Sequence, residues 1–238
     1  MASHTPIEEL LRRFTRPITR PISQPPTAAR RMTRPPEGEF VASDQVSRSF
    51  SRRFTETKGR MLQPYLTELT DALKVYDISC QLTVQLGSQL DPYSEMTFST
   101  SNTNSEANVA RGRKALEYLQ LMPFRLAPMV IKYINGSFTD EILTGNQEGG
   151  LRSTYRIESE QLLKCKRLLS GSLQDLERLT GCDIWLGADR VIIVGTLEGS
   201  RLAREVVEDC IVRNVPPAPK IRNLMTSLAS QEFETLGL

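Results

Sequence analysis

The sequence predicts an α+β fold, with two small units of mixed helix and strand following an irregular basic lead-in. Three observations predict it. Residues 176–212 read as a short helix, two apolar strands and an amphipathic helix. Residues 78–100 hold a second pair of alternating segments between helical stretches. Residues 1–55 carry prolines and arginines at a density that no regular element survives. A chain of 238 residues can bury one large core or two small ones, and 39% hydrophobic with 24% charged residues is ordinary for a globular protein.

The lead-in, residues 1–55, is expected to be disordered. Pro17, Pro21, Pro25, Pro26, Pro35 and Pro36 interrupt any helix. Arg12, Arg13, Arg16, Arg20, Arg30, Arg31 and Arg34 fall there with no acid between Leu10 and Pro36. Residues 1–60 contain 12 Lys/Arg against 6 Asp/Glu, whereas residues 61–150 contain 6 against 10 and residues 151–238 contain 12 against 12. The basic surplus therefore sits in the tail, ahead of a mildly acidic body. Such a tail suits an arm ordered on phosphates or a plain solvated linker. A mitochondrial presequence is the third reading, opposed by Glu8, Glu9 and the prolines.

Residues 56–149 are expected to form the first folded unit. Leu62, Leu66, Leu69 and Leu73 suit one helix face, Ile78 to Leu86 alternates as a strand, and Glu95 to Thr100 is its partner across Asp91-Pro92. Asn102 to Ser105 caps a helix from Glu106 that carries Val109, Leu116 and Leu119, with Arg111, Arg113 and Lys114 on its exposed side. Those cations suit phosphates, a protein neighbour or plain solvent. Pro123 closes that helix, and Phe124 to Asn135 forms another with Pro128 in its first turn.

Residues 150–238 are expected to form the second unit. Thr154-Tyr155-Arg156-Ile157 reads as a strand, Glu158 to Leu169 and Ser172 to Thr180 as helices. Gly181 ends the second helix, since glycine takes the left-handed conformation without steric cost. Cys182, Ile184 and Leu186 alternate with Asp183 and Trp185, as in a half-buried strand. Trp185 is expected to stack on a base or, in preference, to bury against the first unit. After Ala188-Asp189-Arg190 comes Val191 to Val194, a β-branched run ended by Gly195. Leu202, Val206, Val207 and Cys210 then recur at helical spacing, with Arg201, Arg204, Glu205 and Glu208 facing water.

Catalysis finds little support. The single histidine, His4, stands in the tail, which excludes His-based triads within the fold. No phosphate-binding glycine loop occurs, and the adjacent Glu208 and Asp209 point to different sides of a helix. Cys80, Cys165, Cys182 and Cys210 lack the paired spacing of a zinc site and read as reduced, structural residues of an intracellular protein. No metal, cofactor or membrane span is expected, because no apolar run approaches about 20 residues.

The β-α-α-β-β-α order of residues 150–238 resembles the KH module of the eukaryotic type, whose usual role is to hold a few unpaired nucleotides. The resemblance extends further. Arg31-Met32-Thr33-Arg34-Pro35-Pro36, Pro64 to Leu69 (PYLTEL), Ala110 to Ile134, Asp189 to Ile211 and Pro216 to Leu224 resemble, in this order, segments of the Partner of Nob One family. That family comprises KH-containing factors of small-subunit assembly. The KRR-type processome factor is a rival with the same two-domain body. Glu208-Asp209-Cys210 leans towards the rival, and the end of the chain at Leu238 leans away from it.

The resemblance implies two tandem KH-type domains, the first degenerate. It also implies a non-catalytic factor that holds the 3′ end region of small-subunit precursor rRNA. The implied neighbours are the site-specific endonuclease of rRNA 3′ maturation, the rRNA dimethyladenosine methyltransferase and small-subunit ribosomal proteins. The implied location is the nucleus and nucleolus, with passage to the cytoplasm on pre-small-subunit particles. A protein-interaction scaffold that has lost RNA contact is the competing class.

A KH domain grips nucleic acid through a G-x-x-G loop, where bare backbone approaches phosphates. Here that place reads Lys166-Arg167-Leu168-Leu169-Ser170-Gly171-Ser172-Leu173, with one glycine and about three residues fewer than the family pattern. Lys164, Lys166 and Arg167 are then candidates to replace the clamp, together with Ser170, Gly171 and Ser172. Arg190, Lys220 and Arg222 are further RNA-contact candidates, and Arg12, Arg13, Arg16, Arg20, Arg30, Arg31 and Arg34 are expected to add phosphate contacts from the tail.

Overall fold

The structure, a computed structural model, describes residues 48–85, 93–100 and 105–235, and all of these lie in one compact unit. The tail arginines Arg12 to Arg34 lie outside the described residues, as does His4. Two copies of one arrangement follow each other. The first comprises β1 (Arg48–Thr55), α1 (Glu56–Leu62), a 3₁₀ turn (Gln63–Tyr65), α2 (Leu66–Lys74), β2 (Ile78–Gln85), β3 (Tyr93–Thr100) and α3 (Glu106–Leu121). A second 3₁₀ turn (Phe124–Leu126) leads into α4 (Ala127–Ile134), with Pro128 at its start. The second copy comprises β4 (Phe138–Leu143), α5 (Leu151–Tyr155), α6 (Ser159–Gly171), α7 (Leu173–Thr180), β5 (Asp183–Leu186), β6 (Arg190–Gly195) and α8 (Leu197–Arg213), followed by α9 (Pro217–Thr235).

Each sheet is antiparallel, and in each the strand that comes last in the chain is the central one: β1-β3-β2 and β4-β6-β5. In the first sheet Ser94, Met96, Phe98 and Thr100 of β3 are buried, while the intervening residues are half exposed. Phe54, Phe50 and Leu82 share the buried face, and Phe50 sets its ring edge-on to Phe98 at 5.9 Å. Residues 48–55 therefore do not belong to the tail. Their alternation of Phe with Ser and Arg is the pattern of an edge strand.

The second sheet corrects another expectation. Thr154 to Ile157 is not a strand, because Leu151–Tyr155 is helical and Arg156 caps that helix with a left-handed φ of 54°. The missing strand is β4, which lies against the open edge of β6 in the register Ile142↔Val191 and Asp140↔Ile193. The break between the two sheets thus falls between Ile134 and Phe138, ahead of residue 150. Gly181 does end α7 with φ 62°, as its sequence context predicts. Thr196 and Ser105 cap α8 and α3 by accepting hydrogen bonds from the Gly199 and Asn108 amides.

β6 explains how the copies join. Val191 and Ile193 point into a core with α6, α7 and α8, whereas Ile192 and Val194 point the other way, into the core of the first copy. A strand buried on both faces has to read as an unbroken apolar run, and Val191 to Val194 does. Trp185 packs half-buried against the first core, on the same side as Ile192. All four cysteines are free, with Cys165, Cys182 and Cys210 buried. Among the described residues no helix is long and apolar enough to cross a membrane.

Candidate nucleic-acid interface

The helix pair that carries the KH clamp in other proteins is α6 and α7, and here a single residue, Ser172, joins them. Its amide donates to the Leu169 carbonyl at 3.0 Å, and its own carbonyl accepts from the Leu176 amide at 3.0 Å. One helix ends and the next begins on the same buried serine, so no loop projects. Gly171 is exposed, and a β-carbon placed on it would meet nothing within 4 Å. The local backbone therefore offers no glycine-lined cradle for phosphate.

What projects instead is one face of α6. Leu162, Cys165 and Leu169 form its buried stripe, which turns Lys164, Arg167 and Ser170 to solvent beside the exposed Leu163 and Leu168. Among the described residues no carboxylate pairs with Lys164 or Arg167. The same holds for Arg222, exposed on α9, a helix that touches both α7 and α8.

The other cations expected at this site are committed within the fold. Lys166 Nζ donates to the carbonyls of Gly187 at 2.7 Å and Ala188 at 2.6 Å, and so ties α6 to the β5–β6 turn. Burial holds this ammonium below the usual lysine range, and Asp189 works against that. Arg190 donates to both Asp189 oxygens, to Glu117 at 3.1 Å and to Glu141 at 2.6 Å. Its hydrogen bond to Asp189 raises the guanidinium above its ordinary value and holds the Asp189 carboxyl below its own. Lys114 adds a 2.9 Å ion pair to Glu141 and completes a charged cluster between α3 and the second sheet. Lys220 binds Glu205 at 2.8 Å and Asp209, and although burial opposes it, these bonds raise the ammonium above its usual value.

Of the nine interface residues expected in the body, Lys164, Arg167, Ser170 and Gly171 share one helix face. Arg222 sits on another helix, Ser172 is buried, and Lys166, Arg190 and Lys220 bind the protein itself. The sequence showed these cations but not the partners that tie them to other elements, which stand 11 to 73 positions away; Asp189 alone adjoins its cation, Arg190. Glu117 and Glu141 are the residues it gave no reason to single out. Among the described residues no group of three or more His, Cys, Asp or Glu is placed to hold a metal ion.

The β-α-α-β-β-α order around α6 and α7, with the last strand central, defines an α+β protein whose C-terminal part is a KH-type domain. Residues 152–232 match the family described as the KRR1 small subunit processome component, second KH domain. Similar solved structures include a chain of the a/eIF2alpha–aDim2p–rRNA complex of Pyrococcus horikoshii, at 13% identity and a TM-score of 0.48, covering 77% of this chain and 96% of that one. Dim2p of the same organism matches at 14% identity and a TM-score of 0.47, covering 75% and 99%. A protein of unknown function from Aeropyrum pernix matches at 11% identity and 0.45, covering 79% and 97%.

Proposed function

We propose that this chain is a non-catalytic RNA-binding factor of small-subunit ribosome assembly that holds the 3′ end region of the precursor rRNA. The observation that carries the reading is the solvent-facing Lys164 and Arg167 on α6, unpaired among the described residues, in a domain that matches the second KH domain of a processome component. Lys164 and Arg167 contact phosphates from the helix surface, the Ser170 hydroxyl donates beside them, the bare Gly171 leaves room for the strand, and Arg222 contributes from α9. Affinity then comes from charge on a rigid helix rather than from a glycine cradle, so it falls steeply with salt. Lys166 and Arg190 act behind this face by fixing the β5–β6 turn. The tail arginines add phosphate contacts, and the endonuclease of 3′ maturation, the dimethyladenosine methyltransferase and small-subunit ribosomal proteins are the neighbours. The site of action is the nucleolus, with passage to the cytoplasm on the particle.

A second reading, a small-subunit processome factor of the KRR type, is favoured by the 152–232 match. Ultraviolet crosslinking of the full chain in cells, followed by sequencing of bound RNA, separates the two. Reads concentrated at the 3′ end of the small-subunit rRNA are the expected result. Reads concentrated elsewhere in the precursor select the KRR-type reading. A library without rRNA, with assembly proteins still co-purifying, overturns RNA binding in favour of a scaffold.

A further inference from the structure

A groove of about 530 Å³ lies where β1 meets α3, lined by residues of both. Its floor is apolar, formed by Phe50, Val109, Ala110 and Leu116, and Arg52 and Arg113 stand at its mouth. Arg52 is in register with the fully buried Met96, so it belongs to the core-facing side of the sheet, yet it is exposed because β1 is the edge strand. The Arg113 guanidinium lies 5.7 Å from the centre of the Phe50 ring.

The charges in this groove do not balance. Glu106 is held by Arg48, and Glu117 by Lys114 and Arg190. Among the described residues no carboxylate pairs with Arg52 or Arg113, whose recorded partners are the Ser51 carbonyl and the Phe50 ring. The site therefore offers an apolar lining and two cations that no carboxylate neutralises, which suits an anion joined to an apolar ring. An extended acidic peptide added alongside β1 meets that charge demand less well, because an inward-pointing arginine on an edge strand opposes strand addition.

We propose that this groove takes one nucleotide of a single-stranded RNA, with its phosphate between Arg52 and Arg113 and its base against Phe50 and Ala110. The inference rests on the RNA-binding reading above and adds a second contact on the other domain. Glu117, which binds Arg190 of the second sheet, fixes the groove relative to the C-terminal domain. A strand long enough to reach both sites gains from their linkage without any new contact.

The test uses the full chain and fluorescent oligouridylates of roughly 4 nucleotides, the length one KH cleft takes, and of about 20 nucleotides, long enough to span two folds. Arg52→Gln/Arg113→Gln is expected to weaken the longer strand roughly tenfold and flatten its salt slope by about 1–2. Binding of the shorter strand and the thermal melting curve stay unchanged. Photocrosslinking is expected to place a uridine adduct on the peptide containing Phe50. Unchanged affinity for the longer strand overturns the proposal, as does equal competition by free uridine monophosphate or displacement of the crosslink by an acidic peptide. Lys164→Gln/Arg167→Gln keeps the two readings apart. If that variant alone loses RNA, only the groove falls; if the unmodified protein binds neither strand, both readings fall.

Discussion

The two copies differ where the two helices ahead of their second strand meet, and the C-terminal one carries the short α5 besides. In the N-terminal copy, α1 and α2 are separated by a 3₁₀ turn built on Gln63-Pro64-Tyr65; in the C-terminal copy Ser172 alone separates α6 from α7. Proline lacks the amide that a phosphate would need, and a one-residue junction leaves no loop to present amides at all. The sheets and their strand order are nevertheless the same. The clamp and the scaffold are thus independent features, and the helices pack without a glycine loop between them.

The second difference lies in burial. The first sheet buries one face and leaves Ser51, Arg53, Glu95 and Thr97 on the other, where Arg53 stacks on Tyr93 at 4.6 Å. The second sheet is covered on both. The largest predicted effect probes this contrast. Ile192→Ala removes a side chain of the C-terminal sheet that fills the N-terminal core, and is expected to cost roughly 2–5 kcal/mol. Urea unfolding followed by Trp185 fluorescence and by circular dichroism should shift as one transition. Two separate transitions would break the claim that the copies share a core.

Gly59→Ala tests the N-terminal copy on its own. A β-carbon at Gly59 would stand 2.1 Å from Ser94 Oγ, so α1 has to lift from β3 at a cost of about 1–3 kcal/mol. Ser94→Gly in the same chain should recover most of the loss, and failure to recover would place the strain elsewhere. Arg190→Ala removes the centre of the charged cluster. Its expected cost is roughly 1 kcal/mol, since Glu117 and Glu141 keep Lys114 and partial solvent. That cost should shrink in high salt, measured as the difference in urea midpoint between the variant and the unmodified chain.

The thiols set an alkaline limit on both copies. Burial pushes Cys80 in the first and Cys210 in the second up to about 12, from 9.0. The unfolded chain then loses these protons first, so stability is intact below pH 9 and falls as pH rises through 12. Cys80→Ala/Cys210→Ala should flatten that decline in a pH series of urea midpoints. The smallest effect is expected of Lys166→Met, which unties α6 from the β5–β6 turn at a cost of about 0.5–1 kcal/mol. The Gly187 amide, which donates to the Arg190 carbonyl at 2.8 Å, should exchange several-fold faster.

Most of the α+β pattern was legible along the chain because period and capping are local properties. Cys182 to Leu186 alternates, Val191 to Val194 does not, and Gly181 sits where a helix has to stop; the structure matches each. Two strands escaped for opposite reasons. β1 carries Arg48, Arg52 and Arg53, so it blended into a basic lead-in although Phe50 and Phe54 share one face. β4 places Asp140 and Glu141 in a strand interior, which is tolerable only because Arg204 and Arg190 neutralise them from distant elements. Thr154 and Ile157 looked like strand residues, but propensity yielded to the left-handed cap at Arg156. The candidate interface was legible only as a supply of cations. Which ones remain available depends on acids such as Glu117, Glu205 and Asp209, and pairing across such distances leaves no periodic trace.

The two-sided burial of β6 has a mechanical consequence. A single step along its backbone passes from one hydrophobic interior to the other, so neither core can shift β6 without disturbing its neighbour. A void or strain made on one side of this strand is passed to the other, because close-packed interiors transmit strain.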